Sequence, residues 1–302
     1  MRHSTTGFAV ILALSPVQQL LAAETSESEW SATSNVTFVS DYYARGISQN
    51  WHKPTVQGGI DLTHSSGFYT GIWGSGVTPN TFVDANTEID VYAGFNGSIA
   101  AIDKLGYTVG LISYLYPGGS WKKYSALTLD KGKPSGDRFN TTEINVGLSY
   151  DWISAKASYT LTNWFGAEKA TGWDGSSKGT VYLELNAAYP LPLWDLILVG
   201  HLGHLDVAAR LEASGFPNAN GTPGTYKTNP DYTDWKVGLS KGFKLAGSEG
   251  WSAGIYYVGA SNNGYWGGYG GSSFAGSTHS DGSLEYKNLN DSRFVFTLGR
   301  AF

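Results

Sequence analysis

Beyond about residue 30, apolar and polar residues take turns along most of this chain. In 142–150 (TEINVGLSY), Ile144, Val146, Leu148 and Tyr150 fall on one side, and Glu143, Asn145, Gly147 and Ser149 on the other. A period of two marks a strand with one apolar and one polar face. The same alternation runs through 86–97, where Ile89, Val91, Ala93 and Phe95 oppose Glu88, Asp90, Tyr92 and Gly94. It returns in 179–189, with Val181, Leu183, Leu185 and Ala187 against Tyr182, Glu184 and Asn186. In 233–243, Trp235, Val237 and Leu239 oppose Asp234, Lys236, Gly238 and Ser240.

Read this way, the chain holds about twelve strands, an even number as single-chain bacterial barrels have. They are placed at 33–45, 54–64, 67–77, 86–97, 105–116, 141–150, 152–162, 179–189, 193–205, 231–243, 250–259 and 290–302. The connections between them alternate long and short. The long ones are 46–53, 78–85, 117–140, 163–178, 206–230 and 260–289. The short ones are 65–66, 98–104, the corner at Asp151, 190–192 and 244–249. Transmembrane β-barrels have this asymmetry, with short periplasmic turns and long extracellular loops.

Aromatic residues orient the strands. Trp30, Tyr107, Tyr150, Trp152, Tyr189, Trp194, Phe243, Trp251 and Phe302 stand beside short turns or at a terminus. Rings favour the membrane–water interface, so these define one rim. Lipid offers no hydrogen bonds to a strand edge, so the sheet must close on itself, apolar face outward. The expected fold is an all-β, transmembrane, antiparallel up-and-down barrel over 24–302. A barrel of this size lies between filled eight-stranded ones and the open channels of larger porins. The expected role is passage of small hydrophilic solutes or ions across the outer membrane of a Gram-negative cell.

The N-terminus supplies the route of export. Arg2 and His3, the apolar run 7–14 (GFAVILAL) and the small pair Ala22-Ala23 are laid out as a secretory signal peptide over 1–23. The apolar run is too short for a membrane span, which needs ~20 residues. Composition agrees. Only 15% of residues are charged, against 40 Gly, 19 Tyr and 11 Trp, where soluble domains carry about 25% charge. The net charge of −5 argues against nucleic acid as a partner. Absence of cysteine is no handicap to a fold stabilised by closed strand pairing.

The run Val39-Ser40-Asp41-Tyr42-Tyr43-Ala44-Arg45-Gly46-Ile47-Ser48-Gln49 is followed by 54–61 (PTVQGGID), 67–75 (GFYTGIWGS), 88–95 (EIDVYAGF) and 115–118 (LYPG). This series resembles the TorF family of outer-membrane porins, a Gcw-type family of conserved proteins of unassigned function. The opening is its specific part, and the resemblance extends from about Val36 to Gly166. It implies an outer-membrane barrel with a pore. It implies neither a substrate nor a catalytic residue. The C-terminal Phe302 looks like the signal that such barrels present to their insertion machinery.

By phase, the residues expected to line the pore are Asp41, Arg45, Asp61, Glu88, Asp90, Glu143, Lys156, Glu184, Asp234, Lys236 and Arg293, with Asp195 a further acid. Acids outnumber bases, and rings of acidic side chains favour cations. Internal pairs, for instance Asp41 with Arg45 and Asp234 with Lys236, would remove equal numbers of each sign and leave that surplus. Asp41, Arg45 and Asp61 form either a charged pore lining or a plug of paired charges. The Lys-rich loop 117–140 is long enough to fold back over the mouth, or it extends outward.

Candidate chemistry is sparse. His201 and His204 stand three apart, which on a strand points them to opposite faces, so no shared metal is expected. No serine lies in a nucleophile motif, and the nearest acid–imidazole pair in sequence is Asp206 with His204. Neither catalytic residue nor cofactor is assigned, although a barrel hydrolase is one alternative. Another is a plugged or ligand-binding barrel, with the aromatic, Gly-rich loops 264–271 and 172–175 packed into the mouth.

Overall fold

The computed structural model describes residues 29–121, 138–217, 223–266, 277–278, 284–285 and 287–302. Residues 1–23, expected to be a signal peptide, and the lysines at 122, 123, 131 and 133 lie outside the described residues. Twelve strands close into one antiparallel barrel. In chain order they are β1 (Trp30–Val39), β2 (Thr55–His64), β3 (Phe68–Gly76), β4 (Thr87–Ser98), β5 (Leu105–Leu115) and β6 (Thr141–Tyr150). The second half is β7 (Ile153–Thr160), β8 (Val181–Pro190), β9 (Ile197–Asp206), β10 (Tyr232–Leu245), β11 (Ser248–Ala260) and β12 (Arg293–Ala301). Each strand pairs with its neighbours in sequence. The ring closes where Val36 of β1 meets Arg300 of β12.

The alternation read from the sequence is the alternation of the wall. Ile144, Val146, Leu148, Leu183, Leu185 and Val237 are exposed on the outer face, whereas Glu143, Asn145, Tyr182, Glu184 and Asp234 are buried within. An outward belt of this size makes sense only against lipid, since water would leave it a large apolar patch. At the short-turn end, Trp30, Tyr107, Tyr150, Trp152, Tyr189, Trp194 and Phe302 are exposed as an aromatic rim. Tyr159, Tyr257 and Phe294 form a counterpart at the long-loop end, where Tyr257 and Phe294 pack with ring centroids 5.2 Å apart.

Short turns follow local chemistry. Leu245 pairs with Ser248 across Ala246 and Gly247, both at positive φ, the conformation that suits a two-residue hairpin. Asp151 also takes positive φ in the tight corner between β6 and β7. Asp195, assigned by phase to the lumen, instead sits exposed at φ 53° in the turn before β9. Its strand starts at Ile197, so it never enters the wall.

The first strand is also shorter than its pattern suggests. It leaves the barrel at Val39 rather than continuing to residue 45, so Asp41 and Arg45 share no strand phase. The chain turns back instead into a small hairpin, Tyr43–Ala44 against Ile47–Ser48. Arg45 and Gly46 form its tip at φ 48° and 73°.

Candidate functional site: a charged lumen bridged by a loop arginine

The hairpin tip points into the barrel. A Cβ on Gly46 would fall 2.8 Å from the carbonyl oxygen of Gly259 and against Asp234, so only glycine permits this approach. Behind the tip, Asp41 anchors the loop. It accepts a 2.7 Å hydrogen bond from Ser48 Oγ and pairs at 2.7 Å with His52 Nδ1. The Asp-Tyr-x-x-Arg-Gly-x-Ser run therefore encodes an inward-folded hairpin.

Arg45 extends from that tip to the far wall. Its guanidinium donates to both oxygens of Glu143 on β6, at 2.6 and 3.0 Å. It also lies 4.2 Å from the ring centroid of Tyr182 on β8 and 5.9 Å from that of Tyr114 on β5. Two hydrogen bonds to a carboxylate and an aromatic face are the partners a desolvated guanidinium needs. The bridge lies near the long-loop end, where the chain enters β6 and β8.

The other lumen charges are partnered on one side and less so on the other. Lys156 on β7 pairs with Glu184 on β8 at 3.0 Å, and His201 on β9 pairs with Asp234 on β10 at 2.8 Å. Tyr182 donates to Asp234 as well. Lys236 lies over the ring of Tyr256. The pairs anticipated from sequence, Asp41 with Arg45 and Asp234 with Lys236, are thus replaced. Backbone proximity favoured them, but the inward hairpin and cross-strand neighbours supply nearer partners. Arg293 has the inward phase yet stands exposed at the long-loop rim, 3.7 Å from Asp291.

On the opposite wall, Asp61 takes a 2.5 Å hydrogen bond from Tyr92. The Tyr92 ring lies flat over Gly71, where a Cβ would come within 2.6 Å of it, a glycine–aromatic arrangement that suits a curved wall. Glu88 accepts from Tyr116 at 2.8 Å and also faces the Tyr42 hydroxyl as a hydrogen-bond partner, whereas Asp90 Oδ1 is buried without one. Tyr42 from the inward loop faces both carboxylates. Burial first, then Glu88 and Asp90, push its phenol well above the ordinary value, so it stays protonated.

Toward the short-turn end the inward positions become small, at Gly106, Gly147, Ser149, Ser154 and Ala188. The lumen is therefore crowded near the long loops and roomier below. Above the bridge, the loops pack into the mouth. Trp51, Trp164, Trp173, Tyr265 and Trp266 form one buried cluster with Tyr182 and Tyr232. Phe82, Tyr116, Trp121 and Phe139 form part of a second. Trp121 and Phe139 are the described ends of loop 117–140, whose remainder, including Tyr124 and Asp130, lies outside the described residues. In the loop 264–271, Tyr265 and Trp266 pack inward, and 267–271 also lie outside.

Sequence reasoning missed three acid–imidazole pairs among the described residues, His52–Asp41, His201–Asp234 and His64–Glu29, because each joins different strands or folds back through a loop. His204 lies on the outer face, bonded to Thr233. The Ser48 hydroxyl donates to Asp41 rather than to the His52 ring, and His201 is held by Asn186, Tyr182 and Asp234. Neither of these two positions a serine on an imidazole, as a hydrolase triad would. Ser66 Oγ does lie 2.8 Å from His64 Nδ1, with Glu29 3.3 Å from Nε2, but this group sits at the short-turn rim and its acid is exposed to solvent. Among the described residues no group of His, Asp and Glu is placed to hold a metal ion.

Fold and lumen define a transmembrane β-barrel with an inward-folded loop. The chain belongs to the Gcw_chp family, described as bacterial proteins of unknown function, which it matches over residues 23–302. This is the Gcw-type grouping expected from the motif that begins at Val39. No curated protein matches. Among solved structures, the chain is similar to a KdgM porin at 9% identity and TM-score 0.41, covering 89% of this chain and 98% of that one. OccK1 of Pseudomonas aeruginosa is 8% identical with TM-score 0.34, over 83% of this chain and 57% of its own. BamA from Haemophilus ducreyi is 12% identical with TM-score 0.35, over 91% and 70%.

Proposed function

We propose that this barrel is an outer-membrane porin-like channel for small hydrophilic solutes or ions, narrow at the Arg45 bridge and mildly cation-preferring. One observation carries the reading: a closed wall, apolar outside, whose lumen is lined by charged and small polar side chains from the bridge down to the short-turn end. The long-loop end is then extracellular and the roomier end periplasmic. Asp41, Asp61, Glu88, Asp90, Glu143, Glu184 and Asp234 are proposed to line the passage, opposed by Arg45, Lys156, Lys236 and, at the rim, Arg293. The acids keep their excess without Asp195. In a confined lumen a fixed charge acts on a passing ion more strongly than at an open surface. Phe302, exposed at the end of β12, is proposed as the element that the insertion machinery reads. A porin role is also what the TorF resemblance implies.

The packed mouth favours a second reading, a plugged or ligand-binding barrel. Single-channel recording in a planar bilayer separates the two. The channel reading expects discrete conductance steps and, under a salt gradient, a reversal potential on the cation side. Folded protein that never conducts would select the plugged barrel. Anion preference, or an unchanged reversal potential after Asp90→Asn with Glu143→Gln, would remove the cation preference.

A further inference from the structure

The wall formed by β4, β5 and β6 has an excess of buried acid and an unusual set of vacant hydrogen-bonding positions. Glu88, Asp90 and Glu143 are each at most 3% exposed, and among the described residues Arg45 is the cation that reaches into their midst. Asp90 lies in the electrostatic field of Glu88, Glu143 and Arg45. Its Oδ1 accepts no hydrogen bond. A buried carboxylate oxygen without a partner is costly, so such atoms call for an occupant.

Two independent observations say what kind. The first is Asn145, which follows Glu143 on the inward phase of β6, one step nearer the small-residue end. It is 1% exposed, and neither its Oδ1 nor its Nδ2 has a partner. An amide with both ends vacant offers an acceptor and a donor to a visiting molecule. The second is Arg45 itself, a guanidinium already seated on this wall against Glu143 and near the Tyr114 ring. Asp90 is flanked in register by Trp73 on β3 and Tyr114 on β5. Tyr42 packs edge-on to Trp73 at 5.6 Å. Carboxylates set between aromatic faces suit a planar or alkylated cation.

We infer that the Glu88–Asp90–Glu143–Asn145 wall is a binding site for small guanidinium or alkylammonium solutes, with Arg45 as its tethered resident cation. A solute approaching from the small-residue end meets Asn145 first and then the carboxylates. It takes the vacant oxygen of Asp90, beside the charge of Glu88, and competes with Arg45 for Glu143. The inference rests on a lumen that solutes can enter, but not on through-passage, so it can fail or hold separately from the channel reading.

The test is calorimetric titration of the folded full-length mature barrel in detergent with methylguanidinium chloride. Saturable binding is expected. Asp90→Asn and Glu88→Gln should each weaken it about tenfold, the scale of one charge-assisted hydrogen bond. Arg45→Met, which removes the resident competitor, should tighten it. Asp151→Asn, which removes one acid at the short-turn rim, should leave affinity unchanged. Heat-modifiable gel mobility checks folding, and if Glu88→Gln does not fold, Asn145→Ala takes its place. No saturable binding, equal affinity in the Asp90→Asn protein, equal loss in Asp151→Asn, or no gain in Arg45→Met would each overturn the inference. Binding by a barrel that never conducts would support it while removing the channel reading. Conductance without binding would do the reverse.

Discussion

Arg45 and Glu143, 98 residues apart in the chain, are joined by two hydrogen bonds of 2.6 and 3.0 Å across the lumen. Arg45 comes from the loop after β1 and Glu143 from β6, nearly opposite in the ring of twelve. The pair ties the inward hairpin to the far wall. Removing one partner of a buried pair strands the other, typically at a cost of about 3–5 kcal/mol. Arg45→Met should therefore lower the urea midpoint, and adding Glu143→Gln should recover part of the loss. Arg45→Met should also raise single-channel conductance. Additive losses in the double variant would mean that the two residues act independently.

Gly46 provides a separate handle on the same hairpin. Its φ of 73° and its contact with the Gly259 carbonyl exclude a side chain. Gly46→Ala should cost about 1–3 kcal/mol of backbone strain, with the clash in addition, and should loosen the hairpin from the wall. Gly247→Ala is the control, because that residue has φ of 78° with nothing within 4 Å. Strain alone should appear there, with unchanged conductance. Equal conductance in both variants would argue that the hairpin does not restrict the lumen.

Tyr92 over Gly71 sets the partner of Asp61. Gly71→Ala should push the ring off the wall and break the 2.5 Å bond to Asp61. Overpacking of this kind costs about 1–3 kcal/mol. Denaturant unfolding of the variant, alone and combined with Tyr92→Leu, measures it. The combined variant should lose less than the sum, because the ring that clashes is gone.

The outer face makes the plainest prediction. Val146→Arg or Leu185→Arg should cost ~2–4 kcal/mol near mid-bilayer. Asn186→Arg, on the inner face beside Glu184, should be milder. Unfolding from lipid vesicles compares them, and equal costs on the two faces would contradict the register.

The sequence by itself determined the wall. Strict alternation, the one-in-two spacing of long connections and the aromatics beside short turns are local signals, and lipid leaves a closed sheet as the only way to satisfy a strand's edges. Phase alone therefore placed Glu88, Asp90, Glu143 and Glu184 inside. The fate of Asp41 and Arg45 was decided by tertiary structure, since a strand that continued past Val39 and a hairpin that turns inward differ only in what the tip touches. The tip can turn in because Gly46 carries no Cβ to meet Asp234 and the Gly259 carbonyl, and Arg45 stays in because Glu143 awaits it on another strand. Asp195 was lost for the converse reason: β9 is apolar on both faces near its start, so its pattern carries no phase. The His52–Asp41 pair is made where the loop after β1 folds back on itself, and His201–Asp234 by the register between β9 and β10, neither of which strand phase alone specifies.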